Sequence, residues 1–212
     1  MENIITLEHV SKSYKQQWVL NDVSVSFEKG RIHGIIGGNG SGKTQMFKVI
    51  AGSVQPDSGT VVVNGEKTGI RADYARHLGL LIEPPCFLPD YSGLVNLQML
   101  SENMKLTRDQ LLYTMRNVGL DSAIHKKVSL YTPEMLQKLG IAHAIMNDPQ
   151  VIILDDPFNG LDNAGVREIR GLLTRLRIQG KTVLLSNHGA ENIRVLCDTL
   201  HEMDSGRIQR VS

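Results

Sequence analysis

The sequence predicts an α/β protein: a core with a mostly parallel sheet, a small antiparallel β subdomain beside it, and a helical insertion. Three observations lead there. Four short apolar runs are each followed by polar or glycine residues, a glycine-rich segment directly follows the first run, and the first thirty residues largely alternate apolar with polar. With 212 residues, 41% hydrophobic and 21% charged, the chain is long enough for a substantial core, and we expect one domain over 1–212 with the helical subdomain at about 86–147.

In chain order, Ile5-Thr6-Leu7-Glu8 and Val23-Ser24-Val25-Ser26-Phe27 alternate apolar with polar, the period of strands buried on one face. Gly59 to Val63 continues this in part, and Asn64-Gly65 supplies a hairpin turn. The runs Ile32 to Ile36, Leu78 to Ile82, Val151 to Leu154 and Val183 to Leu185 are continuously apolar. Such runs fit parallel strands buried on both faces, whose carboxyl ends carry the functional loops. From Leu94 to Asn147 the spacing becomes three and four, as in Leu94, Leu97 and Leu100 or Leu136, Leu139 and Ala142, which predicts helices. Leu200 to Met203, Asp204-Ser205-Gly206 and Arg207-Ile208 read as a final hairpin. No internal repeat or low-complexity linker interrupts the pattern.

Composition excludes several classes. A net charge of +1 offers no electrostatic case for nucleic acid, and the densest basic group, Arg167, Arg170, Arg175 and Arg177, reads as a solvated helix face. Cys86 and Cys197 have no metal-type spacing and suit a reducing compartment. There is no signal-peptide layout and no apolar run near the roughly 18 residues that a membrane span needs. We therefore expect a soluble chain whose membrane role, if any, comes through a partner.

Gly37-Gly38-Asn39-Gly40-Ser41-Gly42-Lys43-Thr44 fits the GxxxxGK[ST] phosphate-binding loop, with a strand-like run before it and a helix-like run, Gln45 to Ala51, after it. Glycines let the backbone curl so that its N–H groups face phosphate oxygens, and the following helix adds the positive end of its dipole. In that arrangement Lys43 reaches the β- and γ-phosphates and Thr44 offers a hydroxyl to Mg²⁺. Val151-Ile152-Ile153-Leu154-Asp155 is an apolar strand ending in a carboxylate, the placement by which a P-loop NTPase core holds Mg²⁺ beside the phosphates.

These motifs, in this order, resemble the nucleotide-binding domain of an ATP-binding cassette (ABC) transporter over essentially the whole chain. The resemblance implies that Tyr14, in Val10-Ser11-Lys12-Ser13-Tyr14, stacks on adenine. It implies that Gly37, Asn39, Gly40, Ser41, Gly42, Lys43 and Thr44 bind nucleotide, and that Thr44 and Asp155 hold Mg²⁺. Leu154 to Asp162 resembles the second acidic motif with its dimer-contacting loop, and His188, in Ser186-Asn187-His188, matches the histidine that contacts the γ-phosphate.

Three positions depart from that pattern. The loop that usually bears Gln has Glu83 in Leu81-Ile82-Glu83-Pro84-Pro85, an exchange familiar in the branch of bacitracin-resistance and lantibiotic-immunity exporters; a carboxylate there can still approach Mg²⁺ or its water, so Glu83 is a catalytic and metal candidate. Asp156 stands where most members have the Glu that positions the attacking water. A base must lie about 2.6 to 3.2 Å from its proton, directly or through one water. Retraction by one methylene costs on the order of tenfold to a thousandfold, so we expect slow hydrolysis with binding kept. The signature Leu-Ser-Gly-Gly-Gln aligns with Tyr131-Thr132-Pro133-Glu134-Met135. Thr132 keeps the hydroxyl that touches the partner subunit's nucleotide in trans, while Glu134 brings a repulsive carboxylate where a glycine is expected. The same residues form a strong helix start, with Thr132 as N-cap, Pro133 at the first position and Glu134 in the first turn.

The function implied is an ATPase subunit that couples Mg²⁺-ATP binding and slow hydrolysis to movement of separate membrane subunits, with export of, or immunity to, a peptide antibiotic as the substrate reading. Its partners would be transmembrane permease subunits, docked near Glu83 to Leu100 where Pro84-Pro85-Cys86-Phe87-Leu88-Pro89 is rigid and apolar, and a second nucleotide-binding subunit in a homodimer or heterodimer. It would be cytoplasmic and peripheral on the inner face of the cell membrane, with no nucleic-acid partner. The alternative is a degenerate, largely non-hydrolysing regulatory or heterodimer-partner subunit. A cassette acting on DNA or ribosomes would show coiled-coil insertions or tandem cassettes, and a small-molecule kinase an arginine-rich lid; neither is present.

Overall fold

The computed structural model describes residues 2–68, 78–83, 86–188 and 191–212. Pro84 and Pro85 of the expected docking loop lie outside the described residues. The first strands are β1 (Asn3–Tyr14), β2 (Gln17–Glu28) and β3 (Ile32–Ile36), followed by helix α1 (Lys43–Ile50), β4 (Ser58–Val63), β5 (Glu66–Lys67) and β6 (Leu78–Leu81). Helices α2 (Gly93–Leu100), α3 (Arg108–Asn117) and α4 (Pro133–Ile145) form the insertion. The chain then runs through β7 (Val151–Leu154), α5 (Asn163–Ile178), β8 (Thr182–Asn187), α6 (Glu191–Arg194), β9 (Thr199–Asp204) and β10 (Arg207–Arg210).

Two sheets result, as the sequence predicts. The first is antiparallel, in the order β2-β1-β4-β5. Its Asn64-Gly65 turn has φ of +51° and +80°, the left-handed pair that a two-residue hairpin loop requires. The second sheet runs β10-β9-β3-β8-β7-β6 and is parallel apart from the β9–β10 hairpin.

The continuous apolar runs have a direct cause in packing. Along β7, Val151 and Ile153 enter a core shared with α1 and the antiparallel sheet, whereas Ile152 and Leu154 enter the core built with α2 to α5. Both faces are covered, so no polar face is left to alternate. Each such side chain contributes about 1.5–3 kcal/mol by leaving water. The insertion packs through Leu97, Leu111, Met115 and Leu139, all buried, and its helices begin at side-chain caps: Ser92, Thr107 and Thr132 accept the N–H of Val95, Gln110 and Met135. Among the described residues no helix is long and apolar enough to cross a membrane.

Candidate functional site

The glycine-rich loop joins β3 to α1 and is pressed against neighbouring backbone. A Cβ on Gly37 would lie 2.2 Å from the Met203 carbonyl oxygen, and one on Gly42 2.5 Å from that of Val19, so any side chain at either position would force the loop off β9 or β2. The Gly206 N–H donates to the Ser41 carbonyl at 2.9 Å and ties the loop to the final hairpin. Lys43 turns back into the curl, donating to the carbonyls of Gly37 (2.8 Å) and Gly38 (2.9 Å) and to Ser41 Oγ (3.3 Å). Burial lowers the pKa of its ammonium, and the carboxylates of Asp155 and Asp156 oppose that shift.

The acidic strand end faces this ammonium. Thr44 Oγ1 and Ser186 Oγ donate to the two carboxylate oxygens of Asp155. The same Ser186 hydroxyl accepts the Asp156 N–H at 2.9 Å, so one side chain at the end of β8 fixes both aspartates. Asp156 is held in the left-handed region, at φ +51°, a conformation that costs a non-glycine residue and persists only where the surroundings fix it. Its carbonyl accepts from Gln137 Nε2 and from the Asn159 N–H, each at 3.1 Å. Its carboxylate lies 3.2 Å from His188 Nε2. Burial raises the Asp156 pKa, and the nearby His188 works against that rise. Together these residues line a cleft of about 320 Å³ that also takes in Asn39, Gly40 and Asn159.

Tyr14 stands at the end of β1, half exposed, and its hydroxyl accepts from Gln45 Nε2 of α1 at 3.0 Å. The strand end that carries it is tied down by Asp57, which accepts from Lys12 Nζ (2.6 Å), Ser13 N–H (2.8 Å) and Ser13 Oγ (2.9 Å). The Lys12 bond, with those from Ser13, holds the Asp57 carboxyl at a pKa of about 2.

The expected residues Gly40, Asn39, Lys43, Thr44, Asp155, Asp156 and His188 are thus brought together. Glu83 is not: its carboxylate pairs with Lys48 of α1, its side chain is 72% exposed, and it does not line the cleft. Its charge is paired with the ammonium of Lys48. Thr132 also stands apart from this cleft, exposed at the start of α4. Glu134 departs from expectation in a different way. Its carboxylate turns inward to Lys138 Nζ at 2.8 Å instead of projecting from the helix start. Sequence reasoning assigned no role to Ser186, Gln137 or Gln45. For Ser186 a signal existed: a hydroxyl at the carboxyl end of a predicted core strand, where functional loops begin.

Asp155 and Thr44 present a carboxylate and a hydroxyl side by side, hard oxygen donors of the kind that Mg²⁺ takes alongside phosphates. Among the described residues no group of three or more His, Cys, Asp or Glu gathers as a metal site.

Comparison with known proteins agrees with this geometry. The model of the ABC transporter family matches residues 20–159. The chain is 35% identical to the uncharacterised ABC transporter ATP-binding protein YybJ of Bacillus subtilis (strain 168), over 97% of this chain and 95% of that protein. It is also 35% identical to the bacitracin transport ATP-binding protein BcrA of Enterococcus faecalis, over 98% of this chain and 68% of that one. In fold it matches the dimeric post-hydrolysis structure of the ATP-binding cassette MJ0796 bound to ADP and Pi, with a TM-score of 0.89, 23% identity, and coverage of 98% of this chain and 99% of that one.

Proposed function

The chain belongs to the ABC transporter family as an ATP-binding subunit, and on that premise we propose that it binds Mg²⁺-ATP in the cleft floored by Lys43, hydrolyses it slowly, and drives permease subunits as one half of a pair. The observation that carries this reading is the bond from Thr44 Oγ1 to Asp155 across 111 residues of sequence, which sets both metal-type oxygens beside the Lys43 ammonium.

Lys43 and the loop N–H groups bind the phosphates, and Tyr14, braced by Gln45, offers its ring to the base. Thr44 and Asp155 would hold Mg²⁺, which when bound would supply charge neutralisation on the phosphate oxygens. Asp156 accepts the proton of the attacking water, and His188, 3.2 Å from its carboxylate, keeps that carboxylate oriented. The short aspartate arm limits the rate, because its backbone is fixed by Ser186 and Gln137 and cannot advance to make up the missing methylene. Tyr14, Gly37, Ser41, Gly42 and Thr132 complete the proposed nucleotide contacts, Thr132 acting on the partner subunit's nucleotide. Glu83, paired with Lys48, takes part only if that pair opens.

The 35% identity to a bacitracin transport protein supports a peptide antibiotic as the transported substrate, with the subunit peripheral on the inner face of the membrane. The reading as a non-hydrolysing regulatory subunit is not favoured, since Lys43, Thr44, Asp155, Asp156 and His188 all meet in one cleft. The test is phosphate release by the purified chain with ATP. Slow turnover that stops when EDTA removes Mg²⁺ is expected; turnover indifferent to EDTA would refute the metal-assisted reading.

A further inference from the structure

Glu134 lies in the first turn of α4, next to the exposed Thr132 and Pro133, yet its side chain is only 28% exposed and its carboxylate bonds Lys138. Lys138, one helical turn along, contacts Glu134 Oε1 and Glu168 Oε2 of α5, both at 2.8 Å. Lys138 is only 7% exposed, so its ammonium depends on these partners. Two glycines make the room. A Cβ on Gly165, at the start of α5, would lie 2.8 Å from Glu134 Oε1, and one on Gly119, just past α3, would lie 2.7 Å from Glu168 Oε2. Three helices therefore close around one ammonium.

The charge count is informative. One ammonium needs one carboxylate, and Glu168 already supplies it. Glu134 supplies an acceptor for a second of the three ammonium N–H groups and brings the three side chains to one net negative charge. The same bond fixes the direction of Glu134.

We propose that Lys138 is a positioning residue: it holds the Glu134 carboxylate inward, so that the start of α4 meets the γ-phosphate bound by a second copy of this chain with the Thr132 hydroxyl and without a facing negative charge. This rests on the reading above in which Thr132 acts on the partner's nucleotide. With Lys138 gone, Glu134 is free to swing toward the helix start, where like charge opposes closure of the pair.

The test is ATP-driven dimerisation of the purified chain in Mg²⁺ and ATP, followed by sedimentation velocity, with the ATP affinity and melting temperature of each variant recorded alongside. Lys138→Met is expected to weaken the ATP-dependent dimer about tenfold or more while leaving monomer ATP affinity within about twofold. Lys138→Arg retains the dimer. The decisive comparison is rescue: Glu134→Gln in the Lys138→Met background restores the dimer to within about threefold of wild type, and Glu168→Gln in that background does not. A cluster that only stabilised the fold would respond equally to both, since both remove a carboxylate left unpaired. Equal rescue, or no effect of Lys138→Met, overturns the proposal while leaving the paired-subunit reading intact. A wild-type chain that binds Mg²⁺-ATP yet stays monomeric overturns the proposal, which requires a second copy of this chain, and leaves only a different partner subunit for the pair.

Discussion

The cleft at Lys43 and the start of α4 are the two regions to which we assign nucleotide contacts, and they are assembled on different principles. In the cleft the functional side chains are one another's partners: Thr44 and Ser186 both bond Asp155, Ser186 holds the Asp156 backbone, and Asp156 meets His188. At the start of α4 the partners are structural. Thr132 accepts the Met135 N–H as a helix cap, and Glu134 is held by Lys138. A departure from pattern therefore weighs differently in each place. Asp156 cannot escape its short side chain, because its surroundings fix its backbone. Glu134 can be tolerated, because a neighbour turns it away.

That contrast can be broken experimentally, starting with the largest effect. Lys43→Ala removes the buried ammonium from the loop, and we expect ATP affinity measured by calorimetry to fall about a hundredfold or more, the worth of two charge-assisted bonds from that ammonium to phosphate oxygens. A loss of only a few-fold would mean that the loop backbone does the binding alone. Thr132→Val should act on the pair and not on the monomer: a dimer weakened about tenfold, monomer ATP affinity within about twofold, and recovery with Thr132→Ser. Loss of the cap also costs α4 about 1 kcal/mol, so a melting curve belongs beside the dimer measurement.

Much of this was legible in the sequence because the signals are local. The GxxxxGK[ST] loop is eight consecutive residues, the buried strands are unbroken apolar runs, and Asn64-Gly65 names its own turn. What could not be read depends on contacts between distant segments. Glu83 reads as a metal candidate because a carboxylate is a hard oxygen donor; its pairing with Lys48, 35 residues away, has no signal in the sequence. Half of the Glu134 arrangement was readable, since Glu and Lys four apart on a helix pair favourably. The other half, Glu168 on α5 and the space left by Gly165 and Gly119, appears only once the helices pack. Gln137 has no sequence signal for the same reason: it bonds a carbonyl 19 residues on, and a backbone acceptor leaves no trace in sequence.

Asp156 separates chemistry from binding, since its missing methylene slows hydrolysis and leaves ATP binding to Lys43 and the loop. Steady-state ATP turnover and ATP affinity of wild type and Asp156→Glu, measured on assembled protein under identical conditions, test it most directly. We predict a gain in kcat of about tenfold or more with ATP affinity unchanged within about threefold. No gain in turnover by Asp156→Glu, in protein that still binds ATP and pairs, would contradict it.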